Sequence, residues 1–87
     1  MTTETLDIRR RKAAYRAAHR GTKEMDIMLG RYAEATLPGL ADPALARFEQ
    51  FLSLPDPELQ NWLLTPSPPP VTDFSGLIAE IRRFHGI

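Results

Sequence analysis

The stretch Arg20-Gly21-Thr22-Lys23-Glu24-Met25-Asp26 joins a strongly basic segment to an amphipathic one through a single glycine. Glycine tolerates positive φ without steric penalty, so Gly21 ends a helix arriving from its N-terminal side. Thr22 then reads as the N-cap of the next helix. Glu24 and Asp26 fall in its first turn, where carboxylates favour the positive end of the helix dipole. Met25, Met28, Leu29 and Tyr32 follow at i, i+3, i+4 and i+7, one apolar helical face that Leu37-Pro38-Gly39 brings to an end. A functional surface is expected at this junction before anywhere else.

Upstream, from Asp7 to about Arg20, there is no Gly or Pro and alanine is abundant, which favours a helix. At about 100° per residue Arg9, Arg16 and Arg20 project within about 40° of one another, with Lys12 beside them. They form a basic stripe. Ile8, Ala14, Tyr15 and Ala18 project to the other side as a thin apolar face, interrupted by Arg11. Such a helix is expected to pack loosely and to owe its sequence partly to what it binds.

Downstream, Asp42-Pro43 and Asp56-Pro57 each read as an N-cap followed by proline at the first helical position, where the missing N–H would have been unpaired anyway. The first of these helices buries Leu45, Phe48, Phe51 and Leu52; the second, shorter one buries Leu59, Trp62 and Leu63. Thr65-Pro66-Ser67-Pro68-Pro69-Pro70 cannot continue a helix and favours an extended, semi-rigid connection. A last helix starts near Asp73, with Phe74, Leu77, Ile78, Ile81 and Phe84 as its apolar stripe. Nothing alternates as a strand. The expectation is an all-α, compact five-helix bundle forming a single domain over residues 1–87, with 1–6 flexible and 65–72 a Pro-rich linker.

The 87 residues bury only roughly 60 to 65 % of the surface that the unfolded chain exposes. An enclosed substrate cavity with a second domain is excluded by size. Cysteine is absent, which removes disulfides, thiolate metal sites and thiol catalysis. No apolar run approaches the roughly 18 to 20 residues of a membrane span, and no signal-peptide apolar region follows the first charges. Glu4 and Asp7 argue against a mitochondrial presequence, so a bacterial cytoplasmic protein is expected. The net charge of zero hides an asymmetry. Residues 1–23 hold seven basic groups against Glu4 and Asp7, a balance of +5; residues 24–87 hold four against nine acidic ones, a balance of −5. An asymmetry of that kind steers and orients a partner in a salt-sensitive way.

Catalytic chemistry finds little footing. His19 and His85 lie in no metal-ligand spacing and read as solvated helix-end histidines, so no metal site is expected. Ser53, Ser67 and Ser75 lack a nearby basic partner in sequence, and there is neither a G-x-S-x-G turn nor a phosphate-binding glycine loop. Glu24 and Asp26 point about 200° apart on a helix, which suits capping and recognition better than acid–base work. A nucleic-acid-binding helical protein and an interaction module such as an inhibitor or antitoxin remain open on charge alone, although no recognition helix is apparent.

The succession of a basic helix, Arg20-Gly21-x-x-Glu24-x-Asp26, Phe48-x-x-Phe51-Leu52 and Asp56-Pro57-x-Leu59-x-x-Trp62-Leu63 resembles the succinate dehydrogenase assembly factor 2 family, the small flavinylation factors, over roughly residues 8–84. The resemblance implies a five-helix, non-catalytic assembly factor. Its partner would be the flavoprotein subunit of succinate dehydrogenase, and often in the family that of fumarate reductase, on which it would promote covalent attachment of FAD to a histidine. The family's Arg-Gly-x-x-Glu motif lies on the contact surface, which nominates Arg20, Gly21 and Glu24, with Asp26 as a helper. Arg9 and Arg16 are nominated by the basic stripe. His19 stands where many relatives carry a second Arg. With no dinucleotide fingerprint, no stably bound FAD is expected on the chain itself, and a monomer is expected.

Overall fold

The computed structural model describes residues 5–65 and 71–87. Five helices occur among them and no strand: α1 (Leu6–Ala18), α2 (Lys23–Thr36), α3 (Asp42–Leu52), α4 (Asp56–Leu64) and α5 (Ser75–Phe84). The expected linker 65–72 falls largely on residues 66–70, outside the described residues, as do residues 1–4 of the expected flexible start. Thr5 caps α1, its hydroxyl accepting from Ile8 N at 3.2 Å, and Leu6 is already the first helical residue.

The buried faces of α2, α3 and α4 are those the periodicity marks. Met25, Met28, Leu29, Tyr32, Leu45, Phe48, Phe51, Leu52, Leu59, Trp62 and Leu63 are all buried, and no charged or polar side chain is buried with them among the described residues. Phe51 is at the middle of this core. Its ring lies 6.4 Å from that of Trp62 on α4 and 5.5 Å from that of Phe74 ahead of α5, so one side chain joins three elements.

Helix α1 departs from the expected face. Ala13 and Ala17 are buried, whereas Ile8 and Tyr15 are exposed. The reason lies in α2, the helix on which α1 chiefly packs. A Cβ at Gly30 would sit 3.2 Å from Ala18 Cα, so the two backbones pass too close for any but small side chains between them. The helix is therefore packed tightly rather than loosely, on its smallest residues.

Asp42 and Asp56 are also placed differently. Each is the first residue of its helix, with Ala41 and Pro55 in the cap positions and no side-chain cap hydrogen bond. Their carboxylates turn instead toward arginines of the α1 segment. α5 begins at Ser75, two residues later than expected. Before it, Thr72 and Ser75 exchange hydrogen bonds in a tight turn: Thr72 N donates to Ser75 Oγ at 2.8 Å and Ser75 Oγ to Thr72 O at 2.9 Å. Ile78 and Ile81 are buried as expected, but Phe84 is half exposed, standing edge-on to the Tyr32 ring at 5.7 Å.

Two polar ties hold α5 against α2. The Tyr32 hydroxyl donates to Glu80 Oε2, and His85, partly buried rather than solvated, donates from Nε2 to Met28 O at 2.7 Å. Burial first, and then the Glu80 carboxylate, raises the Tyr32 pKa well above its ordinary range.

Two stability predictions follow from this packing, and Trp62, the only tryptophan and buried, reports both by fluorescence. Phe51→Ala should cost about 3–5 kcal/mol in urea unfolding, because it opens a cavity between three elements; a loss under about 1 kcal/mol would contradict the central role given to this ring. Tyr32 binds its phenolic proton more tightly folded than unfolded. The stability this contributes is whole below the unfolded pKa of about 10 and drains as pH rises toward the folded value. Tyr32→Phe should lose about 1 kcal/mol at neutral pH and show a shallower alkaline fall in Tm than wild type; parallel alkaline limbs would refute the assignment.

Candidate functional site

The junction between α1 and α2 is a tight turn whose centre is Gly21 at φ +116°, a conformation L side chains rarely adopt. Thr22 opens α2 from an extended conformation, its hydroxyl accepting from Met25 N at 3.4 Å, as its cap position demands. The carboxylate of Asp26, one turn into α2, reaches back across the glycine. Its Oδ1 accepts from Arg20 N at 2.5 Å and from Gly21 N at 3.3 Å. Two backbone donors left over between the helices are thereby paired, and the turn is fixed from the α2 side.

Arg20 fixes it from the other side. The side chain is only 12 % exposed. Its Nε donates to Asp56 Oδ1 at 2.8 Å, Nη2 lies 2.7 Å from the same oxygen and donates to Leu54 O at 2.8 Å, and Nη1 donates to Leu52 O. One planar guanidinium thus joins the α1–α2 junction to the α3–α4 turn. Arg9 does similar work one helix-length away. Nη1 donates to Asp42 Oδ1 at 2.7 Å and Nη2 to Glu49 Oε1 at 2.6 Å, and these carboxylates, Glu49 first, raise its pKa further above its already high range. Arg10 donates from Nε and Nη2 to Leu40 O, holding the α2–α3 loop.

The six nominated residues therefore divide. Arg9, Arg20 and Asp26 are committed to partners inside the fold. Gly21, Glu24 and Arg16 are exposed, and neither the Glu24 nor the Arg16 side chain makes a hydrogen bond or ion pair among the described residues. The continuous basic stripe is corrected accordingly: α3 and α4 bring Asp42, Glu49 and Asp56 onto two of its guanidinium groups. Projection on a lone helix could not show this, since those partners lie 33 to 40 residues away in sequence.

Sequence reasoning also missed Tyr15, placed there on the apolar side of α1. It is 66 % exposed and stacks on His19, with ring centroids 4.0 Å apart and planes 19° from parallel, while His19 Nδ1 donates to Tyr15 O at 2.8 Å. Only the i, i+4 spacing of the two rings could have signalled it. Among the described residues no cluster of His, Asp or Glu has the makings of a metal site. No helix among them is long and apolar enough to cross a membrane. What the site offers chemically is a rigid, exposed backbone turn with a free carboxylate on one side and a cation and stacked rings on the other.

The Sdh5 family, described as the flavinator of succinate dehydrogenase, matches residues 11–85. The chain is 42 % identical over 67 residues to the FAD assembly factor SdhE of Acetobacter pasteurianus, covering 77 % of this chain and 62 % of that one. It is 31 % identical over 85 residues to the FAD assembly factor SdhE of Acinetobacter baylyi, covering 97 % and 99 %. To the mitochondrial succinate dehydrogenase assembly factor 2 of Dictyostelium discoideum it is 33 % identical over 76 residues, covering 87 % of this chain and 53 % of the relative. The chain thus spans nearly the whole of one relative and only about half to three fifths of the others. No solved structure matches. The match to residues 11–85 takes in the junction, its arginine anchor and all five helices but the first five residues of α1, and the chain belongs to the Sdh5 family.

Proposed function

We propose that this chain is an assembly factor that binds the flavoprotein subunit of succinate dehydrogenase and promotes covalent attachment of FAD there. The observation that carries this reading is the division at the junction. Within the segment that the family matches, Arg20 and Asp26 hold a glycine turn rigid, while beside it Gly21 is exposed and the Glu24 side chain has no partner among the described residues. A surface fixed in place and left unpaired is suited to a partner.

Covalent attachment requires a histidine of the flavoprotein to reach the flavin's 8α-methyl carbon, so positioning dominates the barrier. The factor's part is conformational. It binds the flavoprotein in the geometry from which attachment proceeds and shifts the population toward it, without itself reacting. At the contact, Gly21 lets the partner's backbone approach where a side chain would stand in the way, and Glu24 accepts from a partner donor. Arg20, contrary to the expectation from the motif alone, acts behind the contact by holding the turn. The client's FAD stays with the client, and the factor works as a cytoplasmic monomer. The flavoprotein of fumarate reductase is a second client to be tested in the same way.

The reading is tested by in-gel flavin fluorescence of the denatured flavoprotein subunit from cells lacking this chain. Wild type should restore the signal; Glu24→Ala and Gly21→Val should restore it poorly, Glu24→Ala without loss of helix content. Fluorescence that is the same with and without the chain would remove the proposed function. A second expectation separates support from contact. Arg20→Lys keeps the charge but cannot reach Asp56 and both carbonyls, so it should lower unfolding stability by about 2–4 kcal/mol. Glu24→Ala should leave stability within about 0.5 kcal/mol. Equal stabilities for the two variants would refute the division of roles.

A further inference from the structure

The function just proposed uses the junction but leaves the outer face of α1 unexplained. There Tyr15 stands two-thirds exposed between two shallow, open hollows, one lined by Arg11, Lys12, Tyr15 and Arg16 and the other by Tyr15, Arg16, His19 and Arg20. Singly exposed apolar side chains are ordinary on protein surfaces. This one is distinguished by being held. Its ring is stacked on His19, and His19 is itself tied to Tyr15 O, so the pair is ordered before any partner arrives and little side-chain freedom is lost on binding. Tyrosine and arginine side by side are also the residue types that most often anchor interfaces.

We infer that Tyr15, with Arg16 and His19 around it, is the anchor of a docking surface for an acidic segment of the flavoprotein subunit, continuous with Gly21 and Glu24. This rests on the proposed function for the partner's identity and extends it to a second, larger part of the contact. Three observations fix the occupant's chemistry. Arg16 is exposed with no acidic partner among the described residues, so the cation of this face is available to a carboxylate. The two hollows flank an aromatic ring, so the segment brings apolar side chains to lie against it. His19 ends α1 one helical turn, roughly 6 Å, beyond Tyr15 and just before the junction, so a segment seated on the stacked pair runs on to Gly21 without a gap. A nucleic acid fits the same face less well. Its phosphates would find Arg9 and Arg20 already neutralised by Asp42, Glu49 and Asp56, and the free Glu24 carboxylate would stand in its path.

The test is calorimetric titration of the apo flavoprotein subunit of succinate dehydrogenase with the full chain, at low and high salt, using wild type, Tyr15→Ala, Tyr15→Phe, Arg16→Glu and Glu24→Ala. Urea unfolding of each variant confirms that the exposed substitutions leave the fold intact. Tyr15→Ala should weaken binding about tenfold or more, with Tyr15→Phe retaining most of it. Arg16→Glu should weaken it further and flatten its salt dependence. If Tyr15→Ala and Arg16→Glu bind like wild type while Glu24→Ala does not, the α1 surface is overturned and the proposed function stands. If wild type fails to bind the flavoprotein at all, both fall. Retention of wild type on DNA or RNA, lost in Arg16→Glu and accompanied by no flavoprotein binding, would likewise overturn the protein partner in favour of a nucleic acid.

Discussion

The guanidinium of Arg20 is the point on which the arrangement depends. The last carbonyls of a helix have no partner inside it and carry the negative end of its dipole, while the first turn of the next helix favours a carboxylate. Arg20 meets both conditions at once: it takes Leu52 O and Leu54 O around the end of α3 and Asp56 at the start of α4. Its own backbone N–H is meanwhile held by Asp26 of α2. Four helices thus have their ends referred to one residue, α3 and α4 through its guanidinium and α2 through its backbone N–H. Lysine carries the same charge, but it lacks the fork of donors that makes this geometry possible.

The charge asymmetry of the sequence takes on a different meaning once these contacts are seen. A balance of +5 over residues 1–23 against −5 over the remainder suggests a dipole offered to the outside. Much of it closes internally instead. Arg9 meets Asp42 and Glu49, Arg20 meets Asp56, and both Asp residues stand at helix starts where a negative charge is favoured in any case. A chain of this size buries too little apolar surface to hold five helices by packing alone with much margin. Arginine ties to loop and helix-end carbonyls supplement it: Arg10 at Leu40 O, Arg47 at Asp73 O, and Arg82 at Trp62 O and Thr65 O. The positive charge left for a partner is correspondingly local, and Arg16 is its clearest member.

How far the fold was legible depended on side-chain size and on sequence distance. Helices α2, α3 and α4 carry Met, Leu, Phe and Trp at helical spacing, and large apolar groups at that period have no other economical place than a core. In α1 the same rule misled. The fully buried side chains are Ala13 and Ala17, Ala18 lies at the close passage past Gly30, and the larger Ile8 and Tyr15 lie outside. The Asp-Pro pairs marked their helix starts to within a residue, but whether a carboxylate caps its own helix or answers a distant arginine is decided by tertiary contacts. The same holds for the site. The helix stop at Gly21 and the cap at Thr22 were legible because their work is local; the reach of Asp26 back across the glycine and the inward turn of Arg20 were not, the latter because its partners lie 32 to 36 residues further on.

The weight of the functional reading falls finally on Glu24, and its local worth can be set against its retention at the surface. A carboxylate in the first turn of a helix gains about 0.3–1 kcal/mol from the dipole when exposed. Asp26 already supplies a carboxylate to that turn, and it alone pairs with the backbone donors of Arg20 and Gly21. Glu24 therefore contributes little to α2 that Asp26 does not. What it does hold is a position: one turn from a glycine whose φ is fixed from two sides, on a helix anchored through the core by Met25 and Leu29. With the backbone beneath it fixed, only the side chain's own freedom is lost when Glu24 meets an external partner, and a carboxylate that adds little to its own helix is suited to recognition more than to capping.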